Sequence, residues 1–564
     1  MKDIDKLLKS HWGYDSFRPM QRDIIESVIS GKDNLVVLPT GGGKSLTFQL
    51  PVLALDGLAI VISPLIALMK DQVDSLKNNG ISATFINSDL TKSEINRRIV
   101  DSKNGLYKFL YLSPERLKSK NLLRHILLMN ICLLVVDEAH SISEWGYDFR
   151  PSYHNISSFR QLLNGTPVIA VTATANFHVR NDIMKSLNFN NENTGIFISS
   201  FERSNLVLRI EKTDSKIGFI KKYLNINKDK CCIIYCRRRE KSKRISLLLN
   251  EQGHESTYYH GGLDKKTKDY NQNLWINGHK KIMVCTHAFG MGIDKSDVRI
   301  IFHIDIPESL EAYVQEIGRA GRDNMHSNCI LLYSNSELSS MLHSKSFDPT
   351  KGIVDALYDF LHKKFFDKYG LENSFELSLD MIGKKMKLSP DMCKKSLILL
   401  SINNHISILS NINKYAYIKI IKHSDFRSKF TESDYKLSLL NFHLGKMMRG
   451  RVDIERKINI SELKVQCKLD DESFKAKIKI LVDNEIIAFK QLDHIFYVKF
   501  KDNRKTIDEI QIENRSSYNS NKHDSMIKFI MNNTICRQKK ILEYFHEEMN
   551  DCGKCDICLK GKNQ

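Results

Sequence analysis

Asn34-Leu35-Val36-Val37-Leu38-Pro39-Thr40-Gly41-Gly42-Gly43-Lys44-Ser45-Leu46-Thr47-Phe48-Gln49-Leu50 decides the fold of this chain. An apolar run, a glycine-rich turn and a helix-like apolar segment follow one another, as in a strand, a phosphate-gripping loop and a helix. In that setting the loop's backbone N–H groups and the helix N-terminus can cradle phosphates. Lys44 can reach the β and γ phosphates, and Ser45 can ligate Mg²⁺. The strict phosphate-loop pattern has Gly where this chain has Leu38, so the flanking strand and helix carry the reading.

The same alternation continues on both sides. Short apolar runs at 59–64 (AIVISP), 108–114 (KFLYLSP), 132–140 (CLLVVDEAH) and 167–174 (PVIAVTAT) are separated by helical patterns, and a second series follows at 231–236, 281–286, 298–305 and 328–333. Strand-helix alternation predicts parallel sheets with helices on both faces, here as two tandem α/β domains over 1–198 and 199–345. Asp137-Glu138-Ala139-His140 ends one of those strands. Asp137 there can hold the Mg²⁺ that bridges phosphates, and Glu138 can orient or deprotonate the attacking water. Adjacent carboxylates can also open a plain helix; the upstream loop favours the nucleotide reading.

Beyond Ser346 the pattern becomes helical and contains a weak repeat. The stretch from Ile382 to Pro390 aligns with that from Leu463 to Asp471, and each copy ends in alternating residues, 415–420 and 494–500. Helix, turn, helix and a two-stranded ribbon predict winged-helix-like modules over 346–425 and 426–512. Two unrelated helical pieces are the alternative. A polar linker, Glu513 to Lys522, follows.

A net charge of +19 over 564 residues suits a polyanionic partner, although a Lys-, Asn- and Ile-rich chain can carry such charge without one. No apolar stretch is long enough for a bilayer span, and the N-terminus has no signal-peptide pattern, so a cytoplasmic location without membrane attachment is expected. Of the twelve cysteines, eight are scattered singly or in apolar runs and read as core thiols. Cys536, Cys552, Cys555 and Cys558 cluster at the C-terminus. Four thiolates at that spacing suit tetrahedral Zn²⁺ in a helical module over 523–564, a redox pair being the alternative.

In order, Phe17-Arg18-Pro19-Met20-Gln21, the phosphate loop, Asp137-Glu138-Ala139-His140, Val171-Thr172-Ala173-Thr174-Ala175 and the run Gln315 to Arg322 resemble superfamily-two helicases. The segments Ser141 to Pro151 and Ala288 to Lys295, with the terminal cysteines, narrow the resemblance to the RecQ family of DNA helicases. It implies two RecA-like motor domains using ATP, Mg²⁺ and Zn²⁺ to move 3′ to 5′ on single-stranded DNA and unwind duplex DNA, in recombination and repair. Tyr14 would stack on adenine, with Arg18 and Gln21 bracketing the base beside Thr40, Gly41, Gly42 and Gly43. Gln315, Arg319 and Arg322 would complete catalysis from the second domain, the two arginines as fingers. His140, Trp145, Phe149 and Arg150 would form the loop that senses single-stranded DNA by stacking and charge. The resemblance also implies a nucleoid-associated monomer that meets single-strand-binding protein.

The chain departs from the familiar bacterial arrangement, in which zinc follows the motor directly and a winged helix comes afterwards. Here the stretch from Ser346 to Cys536 intervenes, and the family's small C-terminal helical DNA-binding domain is not expected past Cys558. An RNA-directed or non-unwinding translocase remains open, as does a DNA-binding regulator with a dead motor. The presence of Lys44, Asp137, Glu138, Arg319 and Arg322 speaks against the regulator.

Overall fold

The computed structural model describes residues 3–562 apart from 65, 88–89, 144–150, 164, 191, 291–294, 344–348, 404, 412–414, 422–434, 449–453, 468, 470, 485, 492–494 and 502–520. Contacts divide the chain into two compact units. One joins Met1–Lys345 with Tyr518–Gln564, and the other is Ser346–Ser517.

The first unit holds two parallel sheets. β1 (Asp33–Val37), β2 (Leu58–Ile62), β3 (Ala83–Ile86), β4 (Phe109–Leu112), β5 (Ile131–Val136), β6 (Val168–Thr172) and β7 (Thr194–Ile198) assemble in the order β3-β4-β2-β5-β6-β1-β7. After a short hinge, β8 (Leu206–Lys212), β9 (Cys231–Tyr235), β10 (Ser256–Tyr259), β11 (Ile282–Cys285), β12 (Val298–His303) and β13 (Ser327–Tyr333) assemble as β10-β11-β9-β12-β13-β8. Each sheet is RecA-like. The central strands are buried on both faces, which is why they read as continuous apolar runs. The four strands that the sequence pattern does not flag, β3, β7, β8 and β10, are the sheet edges. An edge strand is covered unevenly, so it lacks such a run: β7 is half-exposed and β8 alternates buried with half-exposed positions. The phosphate loop follows β1, Asp137 follows β5 and Ala173 follows β6. All three therefore lie at the carboxyl ends of adjacent strands, where open α/β sheets bind ligands.

The second unit contains the repeat. Its first copy runs β14 (Ser374–Ser378), helices Leu379–Met386 and Pro390–Ile402, β15 (Ile406–Asn411) and β16 (Tyr415–Ile420). The second runs β17 (Arg456–Asn459), helices Ile460–Gln466 and Asp471–Asp483, β18 (Ile487–Gln491) and β19 (Ile495–Phe500). Local chemistry starts these helices. Ser378 and Ser389 accept from the amides of Met381 and Met392, Pro390 sits at a first helical position, and Asn459 caps the third.

The strand pairing, however, is not local. One sheet is β14-β19-β15 and the other β17-β16-β18, so each copy donates its last strand to the other. Separate modules over 346–425 and 426–512, each with its own ribbon, are thereby corrected: both sheets draw strands from both ranges. The exchanged pairs match at one end, with Ile406 opposite Phe500 and Ile420 opposite Ile487, while β15 alone carries a bulge between Ile408 and Ser410. Side-chain volume distinguishes the two partners. Phe496, Val498 and Phe500 of β19 fill a core walled by Tyr358, Phe375 and Leu397, and the Phe500 ring lies 5.1 Å from that of Phe375. The slimmer Ala416, Ile418 and Ile420 of β16 enter a core crowded by Leu437, Leu440, Leu444 and Phe474. Close-packed interiors penalise a mismatch in either direction, so the exchange matches the bulky strand to the core that its aromatic side chains fill.

Candidate functional site

The loop after β1 is shaped by its glycines. Gly41 and Gly43 take left-handed backbone angles, φ 85° and 78°, and a Cβ on Gly42 would sit 2.9 Å from the Pro39 carbonyl oxygen. Gly43 leads into the helix Lys44–Ala54, whose first turn therefore faces the loop. Lys44 Nζ donates to the Leu38 carbonyl at 3.2 Å. Burial lowers its pKa, against the opposing pull of Glu138 and Asp137.

Gln21 Nε2 donates to the Gly43 carbonyl at 3.3 Å, its Oε1 accepts from the Arg18 amide at 2.9 Å, and the Arg18 guanidinium donates to the Gly41 carbonyl. Arg18 and Gln21 thus brace the loop from outside, while Tyr14 is 56% exposed. The Ser45 hydroxyl accepts from Gln72 Nε2 at 3.2 Å, and Gln72 Oε1 in turn accepts from the Tyr111 hydroxyl at 2.9 Å. Gln72 has no motif signal around it, and sequence reasoning missed it.

Asp137 and Glu138 are buried at the end of β5. Asp137 accepts from the Ser63 hydroxyl at 3.3 Å and the Glu138 amide at 2.9 Å, and its carbonyl accepts from the buried Tyr153 hydroxyl at 3.0 Å. Ser63 turns its hydroxyl onto this carboxylate. Burial, then the charge of Glu138, pushes the Asp137 carboxyl up. Burial would also raise Glu138, but the hydrogen bond and charge of His140, with Lys44 and Arg319, hold it below its ordinary value. Glu138 occupies the left-handed region, φ 49°, an uncommon conformation for a non-glycine and one that recurs at active sites. His140 Nδ1 lies 3.3 Å from Glu138 Oε2 and 2.9 Å from Thr172 Oγ1, tying the carboxylate to the end of β6. Crowded carboxylate oxygens with the Ser45 hydroxyl are a hard-oxygen donor set of the kind Mg²⁺ takes.

The second sheet supplies the arginines. Arg319 is 6% exposed and donates to the Gly290 carbonyl; a Cβ on Gly290 would collide with its guanidinium. Arg322 lies against the phosphate loop, its Cγ 3.3 Å from where a Gly41 Cβ would be, and Gly318 meets Thr40 at 3.4 Å on the same measure. Gln315 is buried and lines a cavity with Pro39, Thr40, Ala173 and Thr174. Trp145, Phe149 and Arg150 of the expected sensing loop lie outside the described residues. Elsewhere on the second domain, His260 is held below its ordinary pKa by burial and then by Arg239, Lys268 and Lys243, which marks a locally positive surface at His260-Gly261-Gly262.

At the C-terminus the four sulfurs of Cys536, Cys552, Cys555 and Cys558 lie within 4.8 Å of one another, with Cys555 Sγ 4.0 Å from Cys536 Sγ and 3.5 Å from Cys558 Sγ. A zinc tetrathiolate needs sulfur separations of about 3.8 Å, so the donor set fits. The amides of Arg537 and Cys552 donate to Cys555 Sγ and Cys536 Sγ at 3.4 and 3.3 Å, the kind of bond that steadies a thiolate. A hydrogen bond from the Cys552 thiol holds Cys555 down at about 4 and pushes Cys552 up in return. Behind the ligands, the buried Arg537 grips Asp556 through Nε and Nη2, each at 2.9 Å.

Three family matches fall on these parts in order: DEAD/DEAH box helicase over residues 18–183, helicase conserved C-terminal domain over 215–324, and RecQ zinc-binding over 499–559. The probable ATP-dependent DNA helicase RecS of Bacillus subtilis is 41% identical over 59% of this chain and 67% of its own length. This chain belongs to the RecQ family. The ATP-dependent DNA helicase RecQ of the same organism is 43% identical over 59% of this chain, and the match spans 56% of that relative. The fold is also that of the helicase MrfA solved bound to DNA, with TM-score 0.51 at 19% identity over 61% of this chain and 49% of that one. In the RecQ frame, the zinc-binding match begins within β19, so the zinc module follows the strand-exchanged unit in sequence.

Proposed function

We propose that this chain is an ATP-dependent DNA helicase that moves 3′ to 5′ on single-stranded DNA and opens duplex DNA, in recombination and repair. The observation that carries the reading is Arg322 of the second sheet lying against Gly41 of the first, with Arg319 close enough to influence Glu138 and Lys44. A site assembled from two bodies hydrolyses nucleotide only while they are together, which is how hydrolysis becomes movement.

Lys44 and the loop amides bind the β and γ phosphates. Ser45 and Asp137 would hold Mg²⁺, which would neutralise phosphate charge when bound. Glu138, kept ionised by His140, orients or takes a proton from the attacking water. Arg319 and Arg322 stabilise charge on the transferring phosphoryl group, Gln315 lines the closed interface, and Tyr14 offers its exposed ring to adenine. His140 joins Glu138 to Thr172 at the end of β6, and Trp145, Phe149 and Arg150 sense single-stranded DNA by stacking and charge. The positive surface at His260 suits a phosphate backbone.

DNA as substrate is supported by the activities named for the RecQ relatives; single-strand-binding protein as a partner, a monomeric state and a nucleoid location follow the same reading. The test is ATP hydrolysis with and without single-stranded DNA or RNA, and strand separation on forks tailed at 3′ or 5′. Stimulation by DNA and opening of the 3′-tailed fork are expected. Stimulation by RNA alone, opening of only the 5′-tailed fork, or hydrolysis by Lys44→Ala would each overturn the assignment.

A further inference from the structure

The zinc module does more in this chain than hold itself together. Its helix Arg537–Tyr544 ends in a turn in which His546 is left-handed, φ 63°, and the Glu547 amide donates back to the Leu542 carbonyl at 2.9 Å. That cap aims Glu547 at the segment joining the two sheets. Glu547 accepts from the Ser200 hydroxyl at 2.6 Å and from the Phe201 amide at 3.2 Å, and Phe545 stacks on Phe201 with ring centres 4.0 Å apart.

The segment so gripped leads in both directions to the nucleotide site. On one side the Ser199 amide donates to the Val37 carbonyl at 2.9 Å, at the end of β1 where the phosphate loop begins. On the other, the Arg203 guanidinium donates to the carbonyls of Gly318 at 3.2 Å, Ala320 at 2.9 Å and Gly321 at 3.1 Å, the backbone that carries Arg319 and Arg322. A second arm comes from the same turn. The Tyr544 hydroxyl donates to Glu311 Oε1 at 2.5 Å, and Asn176, which caps the helix after Ala173-Thr174-Ala175, donates to the same oxygen at 3.4 Å. Glu311 opens the helix Leu310–Ile317 that runs into Arg319. One four-residue turn therefore touches the hinge and the helix behind the arginines, and through Glu311 it meets Asn176 of the first domain.

We propose that the turn from Tyr544 to Glu547 is a hinge clamp, and that Glu547 is a positioning residue which sets Arg319 and Arg322 against the phosphate loop through Phe201 and Arg203. The clamp rests on the hydrolytic reading above. Its chemistry is a half-buried carboxylate capping a hinge amide, so it acts on closure and leaves phosphate binding to Lys44 untouched. A misplacement of a catalytic group by about 1 Å is enough to slow turnover by about 100-fold.

The test uses the full-length chain with Glu547→Ala, Glu547→Gln and Tyr544→Phe, reading DNA-stimulated ATP hydrolysis, zinc content and hydrogen exchange at the Phe201 amide. Glu547→Ala is expected to lower kcat about 10-fold or more with KM for ATP within about twofold. Zinc content stays at the wild-type level and the Phe201 amide exchanges faster. Glu547→Gln, which keeps an acceptor oxygen for that amide, recovers part of kcat, and Tyr544→Phe shows a smaller fall of the same kind. Wild-type kcat in Glu547→Ala overturns the clamp, and so does a fall in kcat that tracks loss of zinc. If the wild-type chain hydrolyses no ATP, the hydrolytic reading fails instead; unchanged exchange at Phe201 in Glu547→Ala then overturns the clamp on its own.

Discussion

The motor unit and the Ser346–Ser517 unit are built on opposite rules. In the motor the described strands pair in parallel within their own domain, and the candidate site joins the loops that leave β1, β5 and β6 to Arg319 and Arg322 of the second domain. In the other unit each sheet is completed by a strand from the far copy of the repeat, so that β14 pairs with β19 and β16 with β17 and β18. The motor teaches that a site can be read from motifs when each motif ends a buried strand. The second unit teaches that a repeat fixes which elements form but leaves their partners open.

Removing zinc should act most strongly and on one side of this contrast. Chelation, or Cys555→Ser, forfeits a binding free energy on the order of 10 kcal/mol. The cysteine cluster packs within the motor unit, so the expected outcome by calorimetry is an early transition from that unit, with the Ser346–Ser517 transition unmoved. A shift of both transitions together would break the division.

Arg319→Ala should reduce DNA-stimulated ATP hydrolysis on the order of 10³-fold without lowering thermal stability of either unit to the same degree. Retained turnover, measured by phosphate release, would mean that the hydrolytic site is complete on the first sheet alone.

Phe500→Ala tests the exchange. A buried aromatic truncated in a packed core costs about 3–5 kcal/mol, and the cost should fall on the first copy although Phe500 belongs to the second. Hydrogen exchange should therefore quicken at β14, β15 and the helix Pro390–Ile402 while β17 and β18 keep their protection. Protection lost from β18 instead would mean that the ribbons close locally.

The smallest effect is expected from Lys457→Ala. Its ammonium lies 3.3 Å from Glu376 Oε1, joining a strand of one exchanged sheet to a strand of the other, but both side chains are partly exposed. A loss of under about 1 kcal/mol in urea unfolding is expected. A larger loss would make that pair a true latch between the two copies.

Much of the motor was legible because its signals are local. Pro39 to Ser45, Asp137 to His140 and Gln315 to Arg322 each combine backbone shape with chemistry inside a few residues, and Cys536 with Cys552, Cys555 and Cys558 declares its donors outright. Less legible were residues whose work depends on distant partners. Gln72 meets Ser45 from another helix, Tyr153 meets the Asp137 carbonyl, and Glu547 reaches Ser200 and Phe201 from the far end of the chain. Arg18 and Gln21 were expected beside adenine, whereas their grip on the loop carbonyls was not legible.

By itself, then, the sequence determined the strand-loop-helix units, the four zinc-binding cysteines, the candidate hydrolytic side chains, and the existence of a repeat with two helices and alternating strands per copy. These follow from periodicity, glycine stereochemistry and donor chemistry, all of which act over a few residues. Only the tertiary structure decided which strands pair across the repeat and which side chains hold the hinge. The reason is that the backbone groups of any of β15, β16, β18 and β19 can be satisfied by pairing with a strand of either copy, so hydrogen bonding alone does not choose the partner. What separates them is how Phe496 and Phe500, against Ala416 and Ile420, fill two differently shaped cores. That difference exists only once both cores are assembled.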